Sequence, residues 1–93
     1  MMKKVILDFS NCKNWNDMHQ LVMKELDFPD YYGKNLDALW DCLSGWIETP
    51  VAIEIRGMAS LPADLHDLGA HFLRIFRRAE ATNYLKIRLI VKD

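Results

Sequence analysis

The stretch Tyr31-Tyr32-Gly33-Lys34-Asn35-Leu36-Asp37-Ala38-Leu39-Trp40-Asp41-Cys42-Leu43-Ser44-Gly45-Trp46 reads as a loop feeding a helix. Asn35 is placed to cap that helix, because an Asn side chain accepts from the free N–H groups of the first turn. Ser44-Gly45 ends it. With Leu36 at 0° on a wheel of about 100° per residue, Leu39, Trp40 and Leu43 fall within roughly 60° and form the predicted buried stripe. On the same wheel Ser44 lies near ~80°, Asp37 near ~100°, Asp41 near ~140° and Cys42 near ~240°. Two aspartates four residues apart therefore point the same way, with Cβ atoms about 6 Å apart, which costs a few tenths of a kcal/mol. The helix dipole offsets part of this for Asp37, in the first turn, and less for Asp41. Neither has a basic residue three or four positions away, except Lys34 before Asp37.

Outward from this helix, the chain alternates between strand and helix patterns. Lys3 to Phe9 reads as a strand, mostly apolar, as a strand covered on both faces would be. Asn14 or Asn16 can cap a first helix running to about Leu26, with Met18, Leu21, Val22 and Leu26 at helical spacing. Phe28-Pro29-Asp30 breaks it. After Thr49-Pro50, the residues Val51, Ile53 and Ile55 alternate with Ala52, Glu54 and Arg56, a second strand that Gly57 ends. Pro62 opens a short helix through about Leu68, and Gly69 separates it from a stronger one over Ala70 to Ala81, whose stripe is Phe72, Leu73, Ile75, Phe76 and Ala79. Thr82-Asn83 turns the chain into a last strand, Tyr84 to Val91. Strands joined through helices are expected to be parallel with right-handed crossovers. The predicted fold class is α/β: a three-stranded parallel sheet packed by helices, in one domain over residues 1–93.

With 93 residues, half of them apolar, the chain is long enough for one core and short of a second domain. No apolar run approaches the roughly 18–20 residues of a membrane span. Residues 1–30 lack a signal-peptide pattern, and Cys12 and Cys42 make neither a disulfide framework nor a zinc site, so a reduced, cytoplasmic setting is expected. The net charge of -1 conceals an asymmetry. Residues 25–55 carry seven acidic side chains against Lys34 alone, while the segments on either side are net basic. A compact acidic surface repels nucleic acid and attracts cationic proteins or metal ions.

Tyr31 and Tyr32 precede the acidic helix, Trp40 edges its stripe, and Trp46 follows it. From spacing alone this is either an interface centre or two core tryptophans beside exposed aspartates. The run from Tyr31 to Trp46 closely resembles the central segment of the barstar family, intracellular inhibitors of secreted barnase-like ribonucleases. Asp17-Met18-His19-Gln20, Lys24-Glu25-Leu26 and Phe76-Arg77 extend the resemblance, which covers the whole chain and implies a barstar-like fold. It also implies that Asp41 mimics RNA phosphate at the enzyme's basic cluster, that Asp37 pairs with a second basic group, and that Tyr31 packs against a catalytic histidine. Tyr32, Asn35, Leu36, Ala38, Trp40, Ser44, Gly45 and Trp46 would complete the contact surface, with Glu48 near the rim. No cofactor, metal, nucleic acid or membrane is implied. One residue departs from the family: Arg78 stands where barstar carries a glutamate. Either the target enzyme has a compensating acidic group, or Arg78 bends away.

Rival readings are weaker. A glycosidase pair would flank a cleft, whereas Asp37 and Asp41 share one helix face. A divalent ion would need six or more oxygens, and no loop supplies an acidic ligand series. His19, His66 and His71 are dispersed and read as packing or capping residues; Cys42 reads as a small semi-buried side chain. Arg74, Arg77 and Arg78 share a helix face that could meet nucleic acid, but it reads more simply as a solvated helix back. An immunity or interaction module for another basic toxin or protein is the serious alternative.

Overall fold

The structure is a computed structural model that describes residues 2–92. Strand β1 (Lys3–Asp8) is followed by helices α1 (Trp15–Glu25) and α2 (Leu36–Gly45), strand β2 (Val51–Arg56), helix α3 (His66–Ala81) and strand β3 (Ile87–Val91). Short 3-10 turns occupy Met58–Ser60, Ala63–Leu65 and Asn83–Leu85. The three strands form one parallel sheet in the order β1-β2-β3, as the strand–helix alternation predicts.

The helix starts follow from their caps. The Asn14 side chain accepts from the Asp17 N–H at 2.8 Å, and Asn35 accepts from the Ala38 N–H at 2.7 Å. Each cap of this kind stabilises its helix by about 1 kcal/mol. Helices α1 and α2 carry the chain from β1 to β2, and α3 from β2 to β3, which makes parallel pairing possible. Inward-facing Val5, Leu7, Val51, Ile53, Ile55 and Ile87 meet Met18, Val22, Leu39, Leu43, Phe72 and Phe76, all buried in one core.

The opposite face of the sheet is open, contrary to the expectation for β1. Ile6 is 42% exposed and Lys4 is exposed, because the helices pack on one side only. Register aligns Lys4, Ala52 and Arg88 in one row across this face and Ile6, Glu54 and Ile90 in the next. Glu54 is screened from water by basic side chains rather than by a helix. Lys4 Nζ lies 3.1 Å and Lys92 Nζ 3.8 Å from its Oε1, and the Arg56 guanidinium bonds Oε2. The hydrogen bond from Arg56, then that from Lys4, holds its carboxyl below the usual glutamate range.

Two further expectations are corrected. Gly69 does not divide two helices; α3 runs unbroken from His66 to Ala81 through it. A Cβ on Gly69 would sit 2.9 Å from Leu61 Cδ1, so glycine here admits the Leu61 side chain against the helix rather than ending it. The last strand begins at Ile87, not Tyr84. Asn83–Leu85 forms a 3-10 turn and Lys86 takes a left-handed conformation, φ 57°. Leu85 still reaches the core, which is why the apolar alternation continues through the turn.

Gly57, at φ 78°, does end β2, and a Cβ there would stand 2.5 Å from the Ser10 amide nitrogen. Gly57→Ala is expected to cost about 2 kcal/mol through this clash and the backbone conformation. The urea midpoint reads it directly; an unchanged midpoint would contradict the packing of the β1 exit loop against Gly57.

Candidate functional site

Helix α2 buries Leu39, Cys42 and Leu43, with Leu36 and Trp40 half-buried on one margin. The buried arc is thus turned toward Cys42 relative to the predicted stripe, because α2 packs against α3 as well as over the core. The turn leaves Asp37 and Asp41 exposed together on the outer face, with Ser44 partly exposed beside them. Ser44 Oγ donates to the Trp40 carbonyl at 2.7 Å, so the hydroxyl is tied to the helix. Ala38 is half-buried, while Asn35 and Gly45 are exposed.

Among the described residues, every ion pair converges on Glu54. Among the described residues no cationic nitrogen lies within 4.0 Å of Asp37 or Asp41. Two like charges one turn apart, without counter-ions, are a local cost that folding alone does not require. Lys34, the nearest base in sequence, is turned away: its Nζ donates to Asn16 Oδ1 at 3.1 Å.

Aromatic side chains flank the carboxylates. Tyr31 is 79% exposed and meets Trp46 edge to face, with ring centroids 6.2 Å apart. The Trp46 indole N–H donates to the Asp27 carbonyl at 2.9 Å, which fixes the ring while leaving half of it in water. Glu48 is exposed further along and shares a small groove with Lys3, Asp27 and Trp46. On the other side of α2, the guanidinium of Arg78 lies over the Trp40 ring, 4.0 Å from its centroid. Arg78 therefore stands against α2 at Trp40, the residue that precedes Asp41.

Tyr32 is not part of this surface. It is buried, and its hydroxyl oxygen lies 2.7 Å from His19 Nδ1, itself buried against Phe72. Burial, and then the proximity of Cys42, raises the Tyr32 phenol well above its ordinary value. The buried hydroxyl is satisfied by a histidine 13 positions away, which sequence spacing does not reveal. Spacing also misses Trp15. It is 54% exposed and lines a groove of about 390 Å³ with His19, Asn35, Leu36, Asp37 and Leu68. Only tertiary packing brings the start of α1 beside the start of α2.

Among the described residues no three His, Cys, Asp or Glu side chains are grouped to hold a metal ion. Both thiols are free, and burial raises each above its ordinary value, with Asp41 adding to the effect at Cys42 and Asp17 at Cys12. A thiol so raised is a poor nucleophile. Among the described residues the site brings together two carboxylates without ion pairs, exposed aromatic rings and one guanidinium over Trp40. Among the described residues no helix is long and apolar enough to cross a membrane.

The architecture is that of a small α/β domain with one acidic helix displayed at the surface. The family profile described as "Barstar (barnase inhibitor)" matches residues 2–91, and the chain belongs to the Barstar family. It is 33% identical over 91 residues to a Bacillus subtilis (strain 168) protein named "Putative ribonuclease inhibitor YrdF", covering 98% of this chain and 100% of that one.

Proposed function

We propose that this chain is a protein inhibitor of a barnase-like ribonuclease, acting in the cytoplasm and blocking the enzyme's cationic active site rather than catalysing a reaction. The observation that carries the reading is the pair of exposed, unpaired carboxylates of Asp37 and Asp41 on α2. A ribonuclease site that binds phosphate is lined with cationic donors. Carboxylates on a rigid helix satisfy such donors through charge-assisted hydrogen bonds in place of phosphate. Tyr31, Trp40 and Trp46 supply apolar contact area around that polar centre, the composition that carries most binding energy at interfaces. Family membership and the name of the Bacillus subtilis relative support the same reading. An acidic face of this kind binds the enzyme, not its RNA.

The test is inhibition of a barnase-type ribonuclease at low and at physiological salt. The association rate is expected to fall at least about tenfold between low and high ionic strength, because steering between the acidic face and a cationic cleft is screened. Inhibition that is insensitive to salt would point to an apolar contact elsewhere. Absence of inhibition would favour a different basic toxin or protein as the partner.

A further inference from the structure

We propose that Arg78 is the specificity-determining residue of this face, selecting a ribonuclease that presents a carboxylate beside the basic groups engaged by Asp37 and Asp41. The inference rests on the inhibitor reading. Its structural basis is the stacking of the Arg78 guanidinium on Trp40 at 4.0 Å. Trp40 is half-buried on α2, three residues after Asp37 and one before Asp41, so the stack fixes the guanidinium at the margin of the acidic face. The contact engages the ring through the cation, and among the described residues the Arg78 N–H groups make no ion pair, so they remain available as a fork for a carboxylate.

Nothing within the described residues takes up that fork. No carboxylate oxygen lies within 4.0 Å of it, since the ion pairs all involve Glu54. Glu80, the nearest acid along α3, is engaged elsewhere: its Oε2 accepts from the Leu89 backbone N–H at 2.7 Å, on the edge of β3. An arginine held in place yet unpaired, at the border of a face built for cations, would be repelled by an enzyme surface that is basic throughout. Like charges brought together across an interface reject the wrong partner. The same cation attracts an enzyme whose cationic cleft is bordered there by Asp or Glu. The position therefore reads the sign of the enzyme's charge opposite it.

The experiment titrates a panel of barnase-type ribonucleases with wild type, Arg78→Ala, Arg78→Glu, Arg78→Lys and Asp41→Ala. Arg78 is exposed, and circular dichroism checks that each variant is folded. For an enzyme that wild type inhibits, Arg78→Ala is expected to weaken binding roughly tenfold and Arg78→Glu on the order of a hundredfold. Arg78→Lys should recover only part of the affinity, because it keeps the charge but loses the fork and the stack. An enzyme that wild type ignores but Arg78→Glu inhibits would support the proposal equally, as the opposite sign of the same selection. Asp41-dependent inhibition that Arg78→Ala and Arg78→Glu leave unchanged across the panel would overturn the proposal and leave the inhibitor reading standing. Failure of every variant against every enzyme would bring down both.

Discussion

Replacing Asp41 with alanine is expected to raise the dissociation constant for a ribonuclease that wild type inhibits by roughly 30-fold to several-thousand-fold, about 2–5 kcal/mol. The size follows from the environment the carboxylate meets. On the free protein Asp41 is exposed and unpaired, so removing it leaves nothing unsatisfied. In the complex it would be enclosed by the enzyme's basic groups, and its removal strands those groups without a counter-charge in a desolvated centre. Fold stability should move the other way, if at all. Asp41 repels Asp37 one turn earlier and stands in the half of α2 whose dipole disfavours negative charge. A titration of inhibition beside a thermal melt separates the two effects. Equal inhibition by variant and wild type would remove Asp41 from the site. Lost inhibition with a much lower melting temperature would assign the residue to the fold instead.

The contrast between Asp41 and Tyr32 marks how far sequence reading reaches. Helix α2 was legible to the residue at its start, because Asn35 is a local cap acting three positions ahead. The three parallel strands were legible because the alternation in Val51–Arg56 and the intervening helices leave little topological choice. The exposure of Asp37 and Asp41 followed from helical angle alone. Tyr32 could not be separated from Tyr31 on the same grounds: in a loop no periodicity says which ring turns inward. Its burial depends on His19, and the Arg78 stack on Trp40 likewise depends on how α3 crosses α2. Gly69 misled for the same reason, since a helix-breaking residue can also be one that lets a neighbouring leucine approach. The open sheet face was hidden by the mostly apolar run of Lys3 to Phe9, in which Ile6 lies on the uncovered side, in the row of a glutamate held by cations.

Acidification from pH 7 toward pH 4 is expected to remove about 3 kcal/mol of folding stability through His19. The imidazole is 3% exposed, between Tyr32 and Phe72. Burial, and secondarily the Lys34 charge, pushes its pKa from 6.5 down to about 4. The unfolded chain therefore binds a proton through this window and the folded chain does not. The contribution is present in full above pH 6.5 and is lost as pH falls toward 4, with a slope of at most about 1.4 kcal/mol per pH unit. The side chain is enclosed, so solvent screening does little to dilute the effect. Carboxylates, Glu54 among them, begin to contribute in the same direction only near the lower end. Urea unfolding at pH 7.0, 6.0 and 5.0 therefore isolates the histidine. A His19→Gln variant, which keeps a polar partner for the Tyr32 hydroxyl without titrating, should be less stable at pH 7 but nearly flat across those three points. A wild-type midpoint that does not fall by pH 5.0, or a slope that survives in His19→Gln, would place the titrating group elsewhere. If the slope belongs to His19, the acid sensitivity of the fold and the burial of Tyr32 have one cause. The loop that displays Tyr31 is anchored at its neighbour by the hydrogen bond between the Tyr32 hydroxyl and His19 Nδ1.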